Sequence, residues 1–136
     1  MTNNLLRLID RLESEHVEVL QAVAMLRPAI EMRDDVALKG ALAAGEEALG
    51  TALTKHSEVE DEDLFPRIAA MIGEGMVSLF VEEHVRIRAL RDQVYERIGR
   101  GGADFEGCAE LCDLLADHME REDKVLFPAA RGVLDD

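Results

Sequence analysis

The pattern H-x-x-x-E-D-x-x-L-F-P occurs twice in the chain, beginning at His56 and at His118. On an α-helix a step of four residues returns to nearly the same face, so His56 lies one turn from Glu60. The second copy places His118 and Glu122 in the same way. Imidazole nitrogen and carboxylate oxygen are both common ligands of transition metals. The repeat therefore predicts a metal site to which each copy contributes one histidine and one glutamate.

A further histidine precedes each copy in the matching context E-H-V, at His16 and at His84. The chain is thus a tandem repeat, with halves of about residues 1–72 and 73–136. We expect the two halves to form a single domain of residues 1–136, because one domain of this length can bury a core. The spacing predicts four long helices with one histidine on each.

Composition and patterning predict an all-α fold. Good helix formers are plentiful, aromatic residues make up 4% of the chain, and no long alternation of β-branched residues predicts a sheet. Short connections between long helices favour an antiparallel up-down-up-down four-helix bundle. Each histidine interrupts an apolar stripe, which places the metal site in the core of that bundle. Within it, Asp35 and Asp104 are expected to cap the second and fourth helices, and Pro66 and Pro128 to break them.

The formal net charge of −14 argues against nucleic acid or an anionic membrane as a partner, since both are negatively charged. No window approaches the length of a membrane-spanning apolar helix, and no basic segment leads into an apolar stretch at Met1. We expect a soluble cytoplasmic protein. The two cysteines, Cys108 and Cys112, are predicted to be free thiols buried at a helix interface.

A single histidine on an apolar face is more often a hydrogen-bonded core residue than a ligand. Here that explanation has to hold for all four histidines, two of which have a glutamate at the same offset. An ionised glutamate taken out of water costs several kcal/mol unless a cation compensates it. The predicted ligands are therefore His16, His56, Glu60, His84, His118 and Glu122.

Two aspartates compete with the glutamates as ligands. Asp61 and Asp123 lie five residues after a histidine, which is about 140° away from its face in a regular helix, so Glu60 and Glu122 are preferred. The latter two are predicted to bridge two ions. Four imidazoles and two carboxylates favour a pair of iron ions, whereas zinc usually binds as a single ion with four ligands.

With its two H-x-x-x-E-x-x-x-L-F-P segments, each preceded by E-H, nearly the whole chain resembles the hemerythrin HHE domain family. The resemblance implies a four-helix bundle that holds two iron ions in an oxo- or hydroxo-bridged non-heme di-iron centre. It implies the four histidines as terminal ligands and Glu60 and Glu122 as bridging carboxylates. Members of the family bind dioxygen, sense oxygen or redox state, or respond to iron, peroxide or nitric oxide.

The chain departs from the oxygen-carrying hemerythrins at two positions. Those proteins have a fifth histidine where this chain has Arg88, and their second bridging carboxylate corresponds to Asp123 rather than Glu122. A missing fifth histidine leaves open coordination positions, which argues against reversible oxygen carriage and favours reaction with oxygen or peroxide. Arg88 is expected to extend towards solvent, with a contact to a bridging glutamate as the alternative.

We expect a di-iron protein that binds or senses dioxygen, peroxide, nitric oxide or iron, with a protein partner if it signals. The alternative is a di-iron enzyme with ferroxidase or peroxide-consuming activity, since the same ligands serve both roles. A metal-free histidine phosphotransfer module is a third hypothesis, and it requires a histidine that faces solvent.

Overall fold

The computed structural model describes residues 2–135, and the side chains of residues 4–134. Met1 and Asp136, the outer bounds of the predicted domain, lie outside the described residues. Within that range every regular element is helical: α1 (Thr2–Glu31), α2 (Asp35–Ala44), α3 (Leu53–Val59), α4 (Phe65–Ile72), α5 (Glu74–Gly99), α6 (Phe105–Arg121) and α7 (Phe127–Asp135). The predicted all-α class is confirmed.

Several of these helices are joined by π-helical turns rather than by loops. The segment Ala48–Ala52 leads into α3, Glu60–Leu64 joins α3 to α4, and Glu122–Leu126 joins α6 to α7. In a π turn the N–H group donates to the carbonyl five residues back, which widens the helix by one residue. Two of the three π turns begin at a glutamate of the repeated motif.

The prediction that Pro66 and Pro128 break their helices is wrong. Each proline is the second residue of an α-helix, α4 or α7, that follows directly on a π turn. Each α-helix is continuous with its π turn, since the Phe65 N–H donates to the Glu60 carbonyl and the Phe127 N–H to the Glu122 carbonyl. The motif therefore ends in a proline just after a π turn, and the helical path continues past it.

Of the two predicted N-terminal helix caps, the cap of α6 is confirmed and the cap of α2 differs by one residue. The Ala37 N–H donates to Asp34 Oδ1 at 3.0 Å, so Asp34 caps α2 and the prediction of Asp35 is wrong. The Gly107 N–H donates to Asp104 Oδ1 at 2.8 Å, which confirms the predicted cap of α6.

The apolar core consists of two clusters. The Leu26 cluster contains Val19, Val23, Leu26, Leu42, Leu49, Ile87, Val94, Leu111, Leu115 and both cysteines. The Phe65 cluster contains Leu5, Ile9, Leu12, Leu64, Phe65, Phe80, Leu126 and Phe127. On α1, His16 lies between Leu12 of one cluster and Val19 of the other, so the histidines occupy a polar layer between two apolar ones.

Both cysteine thiols are buried, as predicted. Burial raises the pKa of Cys108 to about 12 and that of Cys112 to about 11. Both are therefore neutral packing groups near neutral pH.

Among the helices of residues 2–135, none combines the length and the apolar composition that crossing a membrane requires.

Candidate metal centre

The histidines reach the polar layer from four different helices: His16 from α1, His56 from α3, His84 from α5 and His118 from α6. Helices α1 and α5 both pack against α6, which brings these residues into one region. The two glutamates are the first residues of the two motif π turns, one turn beyond His56 and His118. Both π turns end two residues before a proline, whose missing N–H favours the wider turn.

All six predicted ligands are buried. The glutamates are 0% exposed and the most exposed histidine, His56, is 5% exposed. Their donor atoms form two groups, and within each group all four atoms lie within 4.8 Å of one another. The first group contains His16, His56, Glu60 and Glu122, and the second contains Glu60, His84, His118 and Glu122. The structure thus brings the six residues together, and both groups share the same two carboxylates.

Glu60 lies between histidines of the two halves. Its Oε1 atom is 3.3 Å from His56 Nε2 and 3.0 Å from His84 Nε2. Glu122 occupies the equivalent place, with Oε1 2.9 Å from His16 Nε2 and Oε2 3.5 Å from His118 Nε2. Every imidazole therefore points its Nε2 atom at a shared carboxylate.

The outer nitrogen of each imidazole contacts a second carboxylate. His16 Nδ1 is 2.9 Å from Asp123 Oδ1, and His84 Nδ1 is 2.7 Å from Asp61 Oδ1. The other two rings contact glutamates, with His56 Nδ1 2.9 Å from Glu15 Oε1 and His118 Nδ1 2.7 Å from Glu83 Oε1. An ionised carboxylate can only accept a hydrogen bond, so each Nδ1 donates and each Nε2 carries a lone pair towards the centre.

This tautomer makes the metal-free centre electrostatically unfavourable. His16 Nε2 and His56 Nε2 lie 3.2 Å apart, a distance at which two lone pairs repel unless a proton or a cation lies between them. Burial lowers the pKa of His56, but the hydrogen bonds and charges of Glu122 and Glu15 outweigh it and leave the pKa raised. Burial and the nearby Glu122 carboxylate raise the pKa of Glu60 well above its ordinary value. Without a metal, the centre therefore attracts protons, as it would other cations.

Several atoms of the centre have no hydrogen-bond partner among the described residues. They are both carboxylate oxygens of Glu60, Glu122 Oε2 and His84 Nε2. An unpartnered polar group that is buried costs about 1–3 kcal/mol, and more if it is charged. Carboxylate oxygen and neutral imidazole nitrogen are what Fe, Mn or Zn ions bind in proteins, so the residues present fit a metal.

Aromatic rings seal the side of the centre that faces the Phe65 cluster. Phe127 stacks on His16 with ring centroids 5.7 Å apart, and Phe65 stacks on His84 at 5.8 Å. Phe80 meets His118 edge-on at 5.4 Å. Phe65 and Phe127 of the two L-F-P segments, together with Phe80, thus form an apolar cover over His16, His84 and His118.

Sequence reasoning overlooked the outer carboxylates. The sequence pattern presents Asp61 and Asp123 only as competitors for the central positions, whereas both contact a histidine Nδ1 outside the centre. Glu15 and Glu83 enter the sequence pattern only as the residues that precede His16 and His84. The signal was present, because E-H and E-D each occur in both halves of the repeat.

Arg88, which stands where oxygen carriers have a fifth histidine, does not contact a central glutamate. Its side chain is 30% exposed, and Nη1 lies 3.9 Å from Asp61 Oδ2. The side chain therefore neither fills the centre nor extends freely into solvent.

Residues 7–130 match the family model of the hemerythrin HHE cation binding domain. The chain is also 32% identical over 83 residues to a protein named DNA nickase from Nostoc sp. (strain PCC 7120 / SAG 25.82 / UTEX 2576). That alignment covers 60% of this chain but 23% of the relative, so the match accounts for less than a quarter of the relative's length. No solved structure matches the chain. Because the family match includes most of the chain and all six central residues, the chain belongs to the hemerythrin HHE cation-binding domain family.

Proposed function

We propose that the centre binds two iron ions, with four terminal imidazole ligands and two shared carboxylates: His16, His56, His84, His118, Glu60 and Glu122. The observation that supports this most directly is Glu60. It is 0% exposed, both of its oxygens lack a hydrogen-bond partner among the described residues, and imidazoles of both halves flank it. Such a group is stable as a carboxylate only beside cations.

Iron is the metal that the donor set favours. Imidazole suits iron, zinc, copper and nickel, while carboxylate ligation also suits manganese and is typical of di-iron proteins built in helical bundles. A closed zinc site holds one ion with four ligands of its own. Here the two groups of four donors share Glu60 and Glu122, which favours a pair of ions.

The proposal includes the arrangement that places these ligands. We infer that the helical stretches 2–31, 35–72, 74–99 and 105–135 form an antiparallel up-down-up-down four-helix bundle. Their connections are short, and α1 packs on α2, α6 and α7 while α5 packs on α4 and α6. We further propose that residues 1–136 are a single domain whose halves, about 1–72 and 73–136, each supply half of the ligands.

We propose that the loaded protein binds or senses dioxygen, a related small molecule such as peroxide or nitric oxide, or iron itself. Iron supplies the redox chemistry when bound. The chain's own residues hold it, exclude water through Phe65 and Phe127, and fix the imidazole tautomers. We place this activity in the cytoplasm, where the buried thiols of Cys108 and Cys112 stay reduced.

An enzyme is the second candidate, supported by the few protein donors that each ion would have. Each group offers four donors, and Arg88 adds none. Iron has room for further ligands in such a site, which favours ferroxidase or peroxide-consuming activity. Peroxide consumption by the iron-loaded protein, compared with His56→Ala, separates the two roles. Equal rates leave only binding or sensing.

Two other roles have less support. All four histidines are at most 5% exposed, so the metal-free phosphotransfer module lacks its solvent-facing histidine. A DNA nickase role also has little support, because the alignment covers 23% of that relative and a net charge of −14 opposes DNA binding.

The proposal is tested by loading the metal-free protein with Fe(II) without oxygen and then admitting air. We expect about two irons per chain, by the pairing of two donor groups, with near-ultraviolet charge-transfer absorption. Ligand binding should also stabilise the fold, by about 2.7 kcal/mol at a hundredfold excess over the dissociation constant. One iron per chain, or no bound iron, would overturn the di-iron proposal.

A further inference from the structure

We propose that Glu15, Asp61, Glu83 and Asp123 are positioning residues. Each of them orients one histidine, which lies on a different helical segment from the acid. The inference rests on the proposed function, because it concerns how the four histidines are held ready for metal.

The glutamates of the two E-H pairs serve the histidines of the H-x-x-x-E pairs. Glu15, next to His16, contacts His56 at 2.9 Å, and Glu83, next to His84, contacts His118 at 2.7 Å. Each of these contacts joins two helices within one half of the chain. The repeat therefore places the same contact twice.

The aspartates of the two E-D pairs cross between the halves. Asp61 of the first half contacts His84 of the second at 2.7 Å, and Asp123 of the second half contacts His16 of the first at 2.9 Å. Together the four contacts link every histidine-bearing helix to another. The motif is thus better written as E-H together with H-x-x-x-E-D, with one acid for the centre and two for the rings.

These contacts decide which nitrogen faces the metal. An imidazole has two nitrogens, and the one that donates a hydrogen bond outwards leaves the other free as a ligand. A carboxylate on that outer N–H also fixes the rotation of the ring and increases its basicity. Without the outer acceptor, a buried histidine can rotate or exchange tautomers.

General surface acidity does not account for the four contacts. The chain has 29 acidic residues, and two of those adjacent to positioning residues face solvent instead of a histidine. Glu62, next to Asp61, and Glu82, next to Glu83, are exposed, and neither forms a side-chain hydrogen bond or salt bridge within the described residues. Glu62 and Glu82 each have the same charge as the positioning residue next to them in the sequence, which makes them matched controls.

The test measures Fe(II) affinity by competition with a chromophoric chelator. Asp61→Ala is expected to weaken binding by about 10–100-fold, the usual effect of losing such a partner. Glu62→Ala removes the same charge one residue away and is expected to change the affinity by less than about threefold, as a surface charge does. Glu83→Ala and Glu82→Ala form a second matched pair, in case Asp61→Ala fails to fold. Helicity and thermal unfolding of each metal-free variant are measured alongside.

A conservative variant separates orientation from charge. Asp61→Asn keeps an acceptor oxygen without the negative charge, so it should recover part of the affinity that Asp61→Ala loses. In the zinc-loaded, diamagnetic protein, long-range ¹H–¹⁵N correlations should show Nδ1–H on His84, and Asp61→Ala should lose that signal while Glu62→Ala keeps it.

The outcomes distinguish the two proposals. A wild-type protein that binds no metal refutes the proposed function and this inference with it. Metal bound equally well by wild type, Asp61→Ala and Glu62→Ala refutes this inference alone. Equal losses of Fe(II) affinity in Asp61→Asn and Asp61→Ala would show that Asp61 acts only through its charge and would refute its positioning role. So would a His84 Nδ1–H signal that Asp61→Ala leaves unchanged.

Discussion

Arg121 contacts Glu83 on the outer side of His118, whereas the matching position of the first half, three residues after His56, holds Val59. Arg121 also lies over the Phe80 ring, 5.5 Å from its centroid. The Glu83 side chain is accordingly 16% exposed, against 36% for Glu15. The two halves therefore supply equivalent central residues but differ in how their outer Glu–His contact is shielded from solvent. Arg121 shields the Glu83–His118 contact, whereas the Glu15–His56 contact, the open side, has no arginine at the matching position.

The open side borders a cavity. Glu15 and His56 line a space of about 240 Å³, with Arg11 and Lys55 among its other lining residues. Arg11 Nε lies 3.4 Å from Glu15 Oε2 on the same helix. Because this ion pair is solvent-exposed, it contributes little to holding Glu15 in place. We therefore expect water and small polar solutes to reach the His56 side of the centre more readily than the His118 side.

The first prediction concerns the arginine that covers one side of the centre. One variant introduces an arginine on the His56 side, and a second removes Arg121 from the His118 side. In the iron-loaded protein, Val59→Arg should slow removal of iron by a small chelator, because the new guanidinium can cover Glu15 as Arg121 covers Glu83. Arg121→Val should accelerate removal by opening the second side. The measurement is the rate of chelate formation by absorbance at saturating chelator. Unchanged rates in both variants would contradict unequal access.

The second prediction concerns the stability of the metal-free protein between about pH 5 and pH 8. The pKa values of Glu60, His56, His84 and His118 are all raised in the folded state. A folded state that holds more protons than the unfolded one loses stability as pH rises. These groups stabilise the fold fully below their unfolded pKa values, about 4.3 for glutamate and 6.5 for histidine. That contribution disappears as pH rises through the raised values.

The measurement is urea unfolding of the metal-free protein at several pH values within that window. We expect the free energy of unfolding to be lower at pH 8 than at pH 6, and the slope to be smaller in Glu60→Gln. Loading with metal should reduce or reverse the dependence, since cations then replace protons. Greater stability of the metal-free protein at pH 8 would mean that the raised pKa values are not present.

The third prediction is that Glu60 serves metal binding at a cost to the stability of the metal-free fold. Glu60 is 0% exposed without a hydrogen-bond partner among the described residues, so its carboxylate destabilises the metal-free fold. Glu60→Gln removes that charge at nearly constant volume and should stabilise the metal-free protein at pH 8 by roughly 1–3 kcal/mol. The variant should also lose the stabilisation that added iron gives the wild type. Calorimetry with and without Fe(II) measures both effects, and a destabilised metal-free variant would argue against a structural cost at Glu60.

Some of this site follows from spacing alone. The four-residue step that joins His56 to Glu60 requires nothing more than one turn of regular helix, and the structure places both side chains in the centre. Family resemblance leaves Asp123 as a rival of Glu122 for the second central carboxylate. The structure puts Glu122 in the centre and Asp123 on His16 Nδ1.

What spacing could not supply are contacts that depend on the packing of distant segments. Glu15 meets His56 across 41 residues, and Asp123 meets His16 across 107. The π turns add a local difficulty, because they shift the helical register after Glu60 and allow Pro66 to remain within a helical path. A regular 3.6-residue period turns Asp61 away from the His56 face, but it predicts neither the contact of Asp61 with His84 nor the continuation of the helix.

The last prediction concerns the π turn Ala48–Ala52, which has no counterpart in the second half of the described chain and lies beside the His56 cavity. Arg91 of α5 donates through Nη1 to the carbonyl oxygens of Leu49 and Gly50 at 3.3 and 3.4 Å, and to Thr54 Oγ1 at 2.7 Å. A widened turn leaves carbonyl groups in need of such donors. Arg91→Met keeps much of the side-chain volume but removes the charged donor.

We expect Arg91→Met to lower the free energy of unfolding by about 1–3 kcal/mol, the cost of leaving partly buried acceptors without a charged partner. Arg86→Met, an exposed substitution on the same helix, is the matched control and should change stability by less than about 0.5 kcal/mol. Hydrogen exchange should rise at residues 48–54 in the first variant and not in the second. If the two variants lose equal stability, Arg91 does not hold the π turn, and the helix that carries His56 keeps its shape through the apolar packing of Leu49 and Leu53 alone.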